Sequence, residues 1–150
     1  MGRGACTGRH HRARLSMRYM LDTNICIYLI KSHPPQVLRR LQALHQGDAV
    51  MSVVSYAELR AGLEMQTQNR QQDEHALSLL VNRIPVLPFT ESDAERFGAL
   101  RAAVRDRSRN AMDRLIAAHA VSLGVTLVTN NAADFKDYPG LAVENWALSS

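Results

Sequence analysis

Four acidic residues, Asp22, Glu58, Asp113 and Asp134, follow short apolar runs or open helical ones. They stand in the segments M-L-D-T-N, S-Y-A-E-L, M-D-R-L-I-A-A-H-A and T-N-N-A-A-D-F. Each has a local explanation. Asp22 suits an Asx turn or a helix cap, and Glu58 would close a capping box with Ser55 three residues before it. Asp113, in the first turn of a helix, favours the helix dipole. Taken together, the four have a second explanation. Clustered carboxylates are hard oxygen donors of the kind that Mg²⁺ or Mn²⁺ takes. Without a cation such a cluster is repulsive and one member has to take up a proton. The matching chemistry is phosphoryl transfer, in which metal ions activate water and neutralise the phosphate. No C-x-x-C, H-E-x-x-H, G-x-S-x-G or G-x-x-x-x-G-K-[ST] pattern offers a competing centre.

For these acids to meet, the chain must bring distant segments to one rim. Tyr19-Met20-Leu21 reads as a buried strand ending at Asp22, followed by a short helix from Ile25 to Ile30 that stops before Pro34-Pro35. Val37, Leu38, Leu41 and Leu44 predict an amphipathic helix closing at Gly47. Val50 to Val54 is the second expected strand, and Ser55 caps the helix that carries Glu58, Leu59 and Leu63. A Gln-rich hinge from Gln66 to Gln72 precedes a helix with Leu77, Leu80 and Val81. Pro85 to Phe89 is the third strand, placed at an edge by its prolines. Thr90 with Asp93 opens a helix bearing Phe97, Leu100 and Val104.

After the polar loop Arg105–Asn110, Ala111 to Leu123 is an apolar helix stopped by Gly124. His119, six residues past Asp113, faces elsewhere on that helix and reads as a packing histidine. Val125 to Thr129 is the fourth strand, followed by the Asn130-Asn131 turn, a short turn holding Asp134, and a last strand over Leu141 to Glu144. Strands alternating with helices predict an α/β fold: a central, mostly parallel four- to five-stranded sheet flanked by helices. Ligands of such sheets sit beyond the carboxyl ends of the strands.

The 150 residues suit one domain, expected over 17–150, after a disordered extension over 1–16 that an upstream start would explain. That extension holds Arg3, Arg9, Arg12 and Arg14 and accounts for the net charge of +4. The rest is balanced, so overall basicity says little about nucleic acid. One local cluster stands out, with six arginines against two acids between Arg96 and Arg114. Arg105, Arg107, Arg109 and Arg114 are its candidates for contacting nucleic-acid phosphates, against the plainer reading of a solvated face. Two cysteines point to a reducing cytoplasm, and no apolar run has membrane-spanning length.

The four segments, in order and at matching spacing, resemble the signature blocks of PIN-domain ribonucleases. M-L-D-T-N-I-C-I-Y-L-I-K is especially similar to the VapC-type toxins of bacterial toxin–antitoxin pairs. The resemblance runs from Met17 to about Trp146 and implies a PIN-like fold. It implies a Mg²⁺- or Mn²⁺-dependent endoribonuclease that cuts RNA, often tRNA, to stop translation, with the anticodon stem-loop of initiator tRNA as the suggested target. It also implies a cognate VapB-type antitoxin and a homodimer. By position, Asp22 and Asp113 would be the principal metal ligands, and Glu58 would complete the site, directly or through water and as a base. Asp134 would be the fourth acid, Thr129, Asn130 and Asn131 would shape that edge, and Asn24 would hold the Asp22 turn. The loop R-D-R-S-R-N-A-M departs from the glycine-containing loop of many relatives. The rival readings are a non-catalytic PIN-like module that binds RNA or protein, and a phosphatase with Asp22 as nucleophile, which lacks the D-x-D pairing of one such class.

Overall fold

The computed structural model describes residues 17–66, 68–104 and 111–148. Its strands are β1 (Tyr19–Leu21), β2 (Ala49–Ser52), β3 (Val86–Leu87), β4 (Thr126–Val128) and β5 (Val143–Glu144). All pair in parallel, in the order β3-β2-β1-β4-β5. The connecting helices are α1 (Thr23–Lys31), α2 (Pro35–Gln42), α3 (Val53–Met65), α4 (Arg70–Arg83), α5 (Glu91–Ala103) and α6 (Ala111–Leu123). A 3₁₀ turn, Ala132–Phe135, lies between β4 and β5.

The central position of β1 follows from its composition. A parallel strand covered on both faces is apolar throughout, and successive side chains point to opposite faces. Tyr19 and Leu21 enter one core with Ile25, Met51, Leu59, Leu77 and Trp146. Met20 enters the other with Val50, Leu127, Ile116 and Phe135. Helices α1 to α4 cover the first core, and α5 and α6 cover the second. β3 lies at an edge, as its flanking prolines predict, but it is only two residues long.

Several boundaries differ from expectation, each for a local reason. The second strand stops at Ser52, not Val54, because the Ser52 hydroxyl accepts the Val54 amide at 3.1 Å and opens α3 at Val53. Capping here overrides the β-branched preference of Val53 and Val54 for extended backbone. Ser55 is therefore inside the helix and buried, and its capping box with Glu58 does not form. α2 ends at Gln42, so Leu44 packs from the following turn. α4 already begins at Arg70, which shortens the Gln-rich connection. The box of Thr90 and Asp93 is complete in both directions. α6 has its expected bounds and is followed by Gly124 at φ +70°, a left-handed conformation that glycine adopts without a Cβ penalty. Among the described residues, no helix is long and apolar enough to cross a membrane.

Candidate active site

Asp22 leaves β1 at the carboxyl edge of the sheet, where its amide donates to the Val128 carbonyl of β4 at 2.9 Å. The side chain is 8% exposed. Its Oδ1 accepts the Ile25 amide at 3.0 Å, so Asp22 does cap α1. The cap leaves the site reading open, because a carboxylate offers about four lone-pair positions. A second hydrogen bond joins it to the side chain of Thr129, which is wholly buried at the end of β4.

The electrostatics of Asp22 are those of a buried anion among anions. Burial pushes its carboxyl up from 3.8 to about 6, and the charges of Asp113 and Glu58 push the same way. The bonds from Thr129 and Ile25 oppose this without cancelling it. Two of the other acids proposed from the sequence, Asp113 and Glu58, therefore both act on Asp22. Asp113 lies in the first turn of α6 and is half-buried. Glu58 lies in the second turn of α3, where its Oε1 accepts the Thr23 hydroxyl at 2.5 Å. Since Ser52 caps α3, Glu58 is released from the capping role that its sequence suggested.

Asp134 sits in the 3₁₀ turn and takes a hydrogen bond from Asn131. Among the described residues no three acidic, histidine or cysteine side chains stand close enough to enclose an ion as they are placed. Glu58 is engaged by Thr23, and Asp134 by Asn131. The donor set nevertheless fits a divalent cation: all oxygen, arranged around a buried carboxylate whose charge its neighbours penalise.

The supporting residues divide. Thr129 bonds Asp22 and also accepts the Asn131 amide at 3.1 Å, so it shapes the edge. Asn24 reaches 3.4 Å across to Asn130 Oδ1 instead of holding the Asp22 turn, which the cap to Ile25 secures. Asn130 is oriented by donating to the Tyr28 hydroxyl at 2.9 Å. Arg114 lies on α6 and is 6% exposed. Arg105, Arg107 and Arg109 lie outside the described residues.

Thr23, Tyr28 and Ser52 were not singled out from the sequence. Thr23 carried a usable sign, a hydroxyl beside Asp22 in the first turn of a helix. In S-V-V-S-Y-A-E the glutamate favoured Ser55 as the cap, and this hid Ser52. Beside Glu58, α1, α3 and α4 form an open, largely apolar pocket of about 180 Å³, lined by Ile27, Leu59, Leu63 and Leu77 with Lys31 and Asp73 among its polar residues.

A buried acid on the central strand of a parallel sheet, charge-coupled to acids on two flanking helices, is the architecture of an acid-cluster nuclease. Residues 19–141 match the PIN domain family model. Ribonuclease VapC2 of Rickettsia felis is 35% identical over 133 residues, covering 87% of this chain and 98% of that protein. The tRNA(fMet)-specific endonuclease VapC of Shigella flexneri is 37% identical, covering 87% and 99%. The fold matches VapBC2 from Rickettsia felis, solved bound to a promoter DNA fragment, at TM-score 0.78 and 34% identity, covering 87% and 99% of the two chains. It matches DNA-bound VapBC from Salmonella typhimurium at TM-score 0.79 and 30% identity, covering 87% and 98%. The chain belongs to the PIN-domain family and, within it, to the VapC ribonucleases.

Proposed function

We propose that this VapC ribonuclease is a divalent-metal-dependent endoribonuclease toxin that cuts tRNA, with the initiator tRNA anticodon stem-loop as target, and thereby stops translation. The observation that carries the reading is Asp22, a buried carboxylate displaced to about 6 with Asp113 and Glu58 adding to the displacement. Such a penalty is relieved by a cation. Asp22 and Asp113 would hold Mg²⁺ or Mn²⁺, and Glu58 would complete the site directly or through water. When bound, the ion supplies an ionised water and neutralises charge on the scissile phosphate.

The chain's own groups do the positioning. Thr129 and the Ile25 amide orient the Asp22 carboxylate, and the Thr23 hydroxyl orients Glu58, the candidate to accept a proton from attacking water. Asp134, held by Asn131, is the fourth acid at the edge shaped by Thr129 and Asn130. Arg105, Arg107 and Arg109 are the phosphate contacts, whose joint neutralisation would flatten the salt dependence of RNA binding. A tRNA target is supported by the name of the Shigella flexneri relative. A VapB-type antitoxin is supported by the VapBC complexes of similar fold and by the largely apolar pocket beside Glu58. A homodimer working in the cytoplasm completes the proposal, and a non-catalytic binding module is the alternative.

The test is cleavage of end-labelled initiator tRNA by the purified chain in Mg²⁺ and in EDTA. Mg²⁺-dependent cuts in the anticodon stem-loop that vanish in Asp22→Asn and Asp113→Asn are expected. Cleavage persisting in EDTA or in either variant overturns the metal assignment. An intact tRNA beside a cut messenger overturns the substrate.

A further inference from the structure

A second polar cluster lies inside the protein, on the opposite side of α6 from Asp113. Ser52, His119 and Asp93 are 0%, 1% and 2% exposed and come from β2, α6 and α5. The Ser52 hydroxyl accepts the Val54 amide at 3.1 Å and shares a hydrogen bond with His119 Nδ1, 2.8 Å away, whose donor is set by the imidazole tautomer. Nε2 stands 3.5 Å from Asp93 Oδ2 without forming a hydrogen bond to it, and the ring also lies against the Pro88 backbone. Asp93 also accepts the Thr90 amide at 2.7 Å and the Thr90 hydroxyl at 3.0 Å. The Phe89 ring meets the imidazole edge to face at 5.3 Å. From the middle of α6, one imidazole thus bonds the cap of α3 and stands beside the capping box of α5.

The placement matters for the carboxylates. Register pairs Leu21 with Met51, so Ser52 lies level with Asp22 at the same rim. Ser52 starts α3, which carries Glu58, and α3 packs on α6, which carries Asp113. Six residues separate Asp113 from His119, about 9 Å along the axis. A slide of α3 along α6 would change the distance from Glu58 to Asp113. Apolar packing between these helices resists such a slide weakly, because it is non-directional. A buried hydrogen bond resists it strongly, because breaking it leaves a desolvated polar group.

We propose that the buried Ser52–His119 hydrogen bond, with Asp93 beside the ring, is a positioning device that locks α3 against α6 and so fixes Glu58 relative to Asp113. His119 is a positioning residue, acting through the two helices without touching substrate. The inference rests on the metal-site reading above.

The measurement is Mn²⁺ binding to the intact chain by electron paramagnetic resonance, with RNA cleavage as a second readout and circular dichroism as the check on folding. His119→Leu is expected to raise half-saturating Mn²⁺ about tenfold, the low end for residues that orient ligands from outside. Ile116→Val, a buried change on the same helix, leaves the binding curve in place. His119→Asn can hydrogen-bond the Ser52 hydroxyl near the Nδ1 position and restores most of the affinity. His119→Gln, reaching towards Asp93 alone, does not. The Asn and Gln pair keeps the test decisive if His119→Leu fails to fold. Equal behaviour of Asn and Gln, or unchanged Mn²⁺ binding in all His119 variants, overturns the positioning role. Failure of the unsubstituted chain to bind Mn²⁺ instead overturns the metal reading beneath it.

Discussion

Asp22 and Asp93 are both buried and both stand at the start of a helix, yet their surroundings treat their charges in opposite ways. Burial raises both carboxyls. At Asp93 it is outweighed by hydrogen bonds from Ser122, the Thr90 amide and the Thr90 hydroxyl, and by the nearby His119, and the group ends below the usual carboxylate range. At Asp22 two hydrogen bonds face burial plus two like charges, and the group ends at about 6. A buried acid whose donors are complete is a structural part. One with an unbalanced charge is a candidate for a functional role, and on this ground we propose Asp22 as site and Asp93 as scaffold.

The largest effect expected from that contrast is at Asp22. Between 3.8 and about 6 the folded chain holds a proton on Asp22 that the unfolded chain has released, so stability falls as pH rises through this interval. The gap from 3.8 to about 6 amounts to about 3 kcal/mol against the ionised form. Asp22→Asn should therefore stabilise the metal-free chain at pH 7 by up to that amount, in urea titrations with EDTA, because asparagine caps as well as aspartate. Added Mg²⁺ should stabilise the parent and leave the variant unchanged. A variant less stable than the parent in EDTA would place Asp22 with Asp93 as scaffold.

Asp93→Asn is expected to act in the other direction, costing about 1 kcal/mol because the bonds from Thr90 and Ser122 lose a charged acceptor. Stability from Asp93 is present above the ordinary carboxylate range and is lost as pH falls through its depressed value. The variant should therefore flatten the acid limb of the stability profile, measured by denaturation between pH 2 and 5. The smallest effect sharpens the contrast within the site. Glu58→Gln should lower the Asp22 titration midpoint, followed by NMR of its carboxyl carbon, because Glu58 adds a like charge there. An unmoved midpoint would remove Glu58 from the acids that act on Asp22.

The sheet was readable because β1, β4 and α6 announce themselves. An apolar triplet meeting Asp22, another ending near Thr129, and an apolar helix closed by Gly124 leave few alternatives. The start of α3 was not readable, because Ser52 and Ser55 are both plausible caps and tertiary contact with His119 favours the first. Asp22, Asp113 and Glu58 could be found as residues at element ends, but the turning of Asp134 towards Asn131 depends on a side-chain rotamer that no spacing encodes. The burial of Arg114 was hidden for a related reason. A cationic run in sequence does not say which member the helix turns inward.

The three residues of β1 also have a dynamic consequence. Because Met20 belongs to one core and its neighbours Tyr19 and Leu21 to the other, the strand is released only when both layers separate. The Asp22 amide, donating to Val128 one residue past that strand, should exchange its hydrogen only in near-complete unfolding events. The Asp22 carboxylate is thereby anchored to the part of the chain expected to open last.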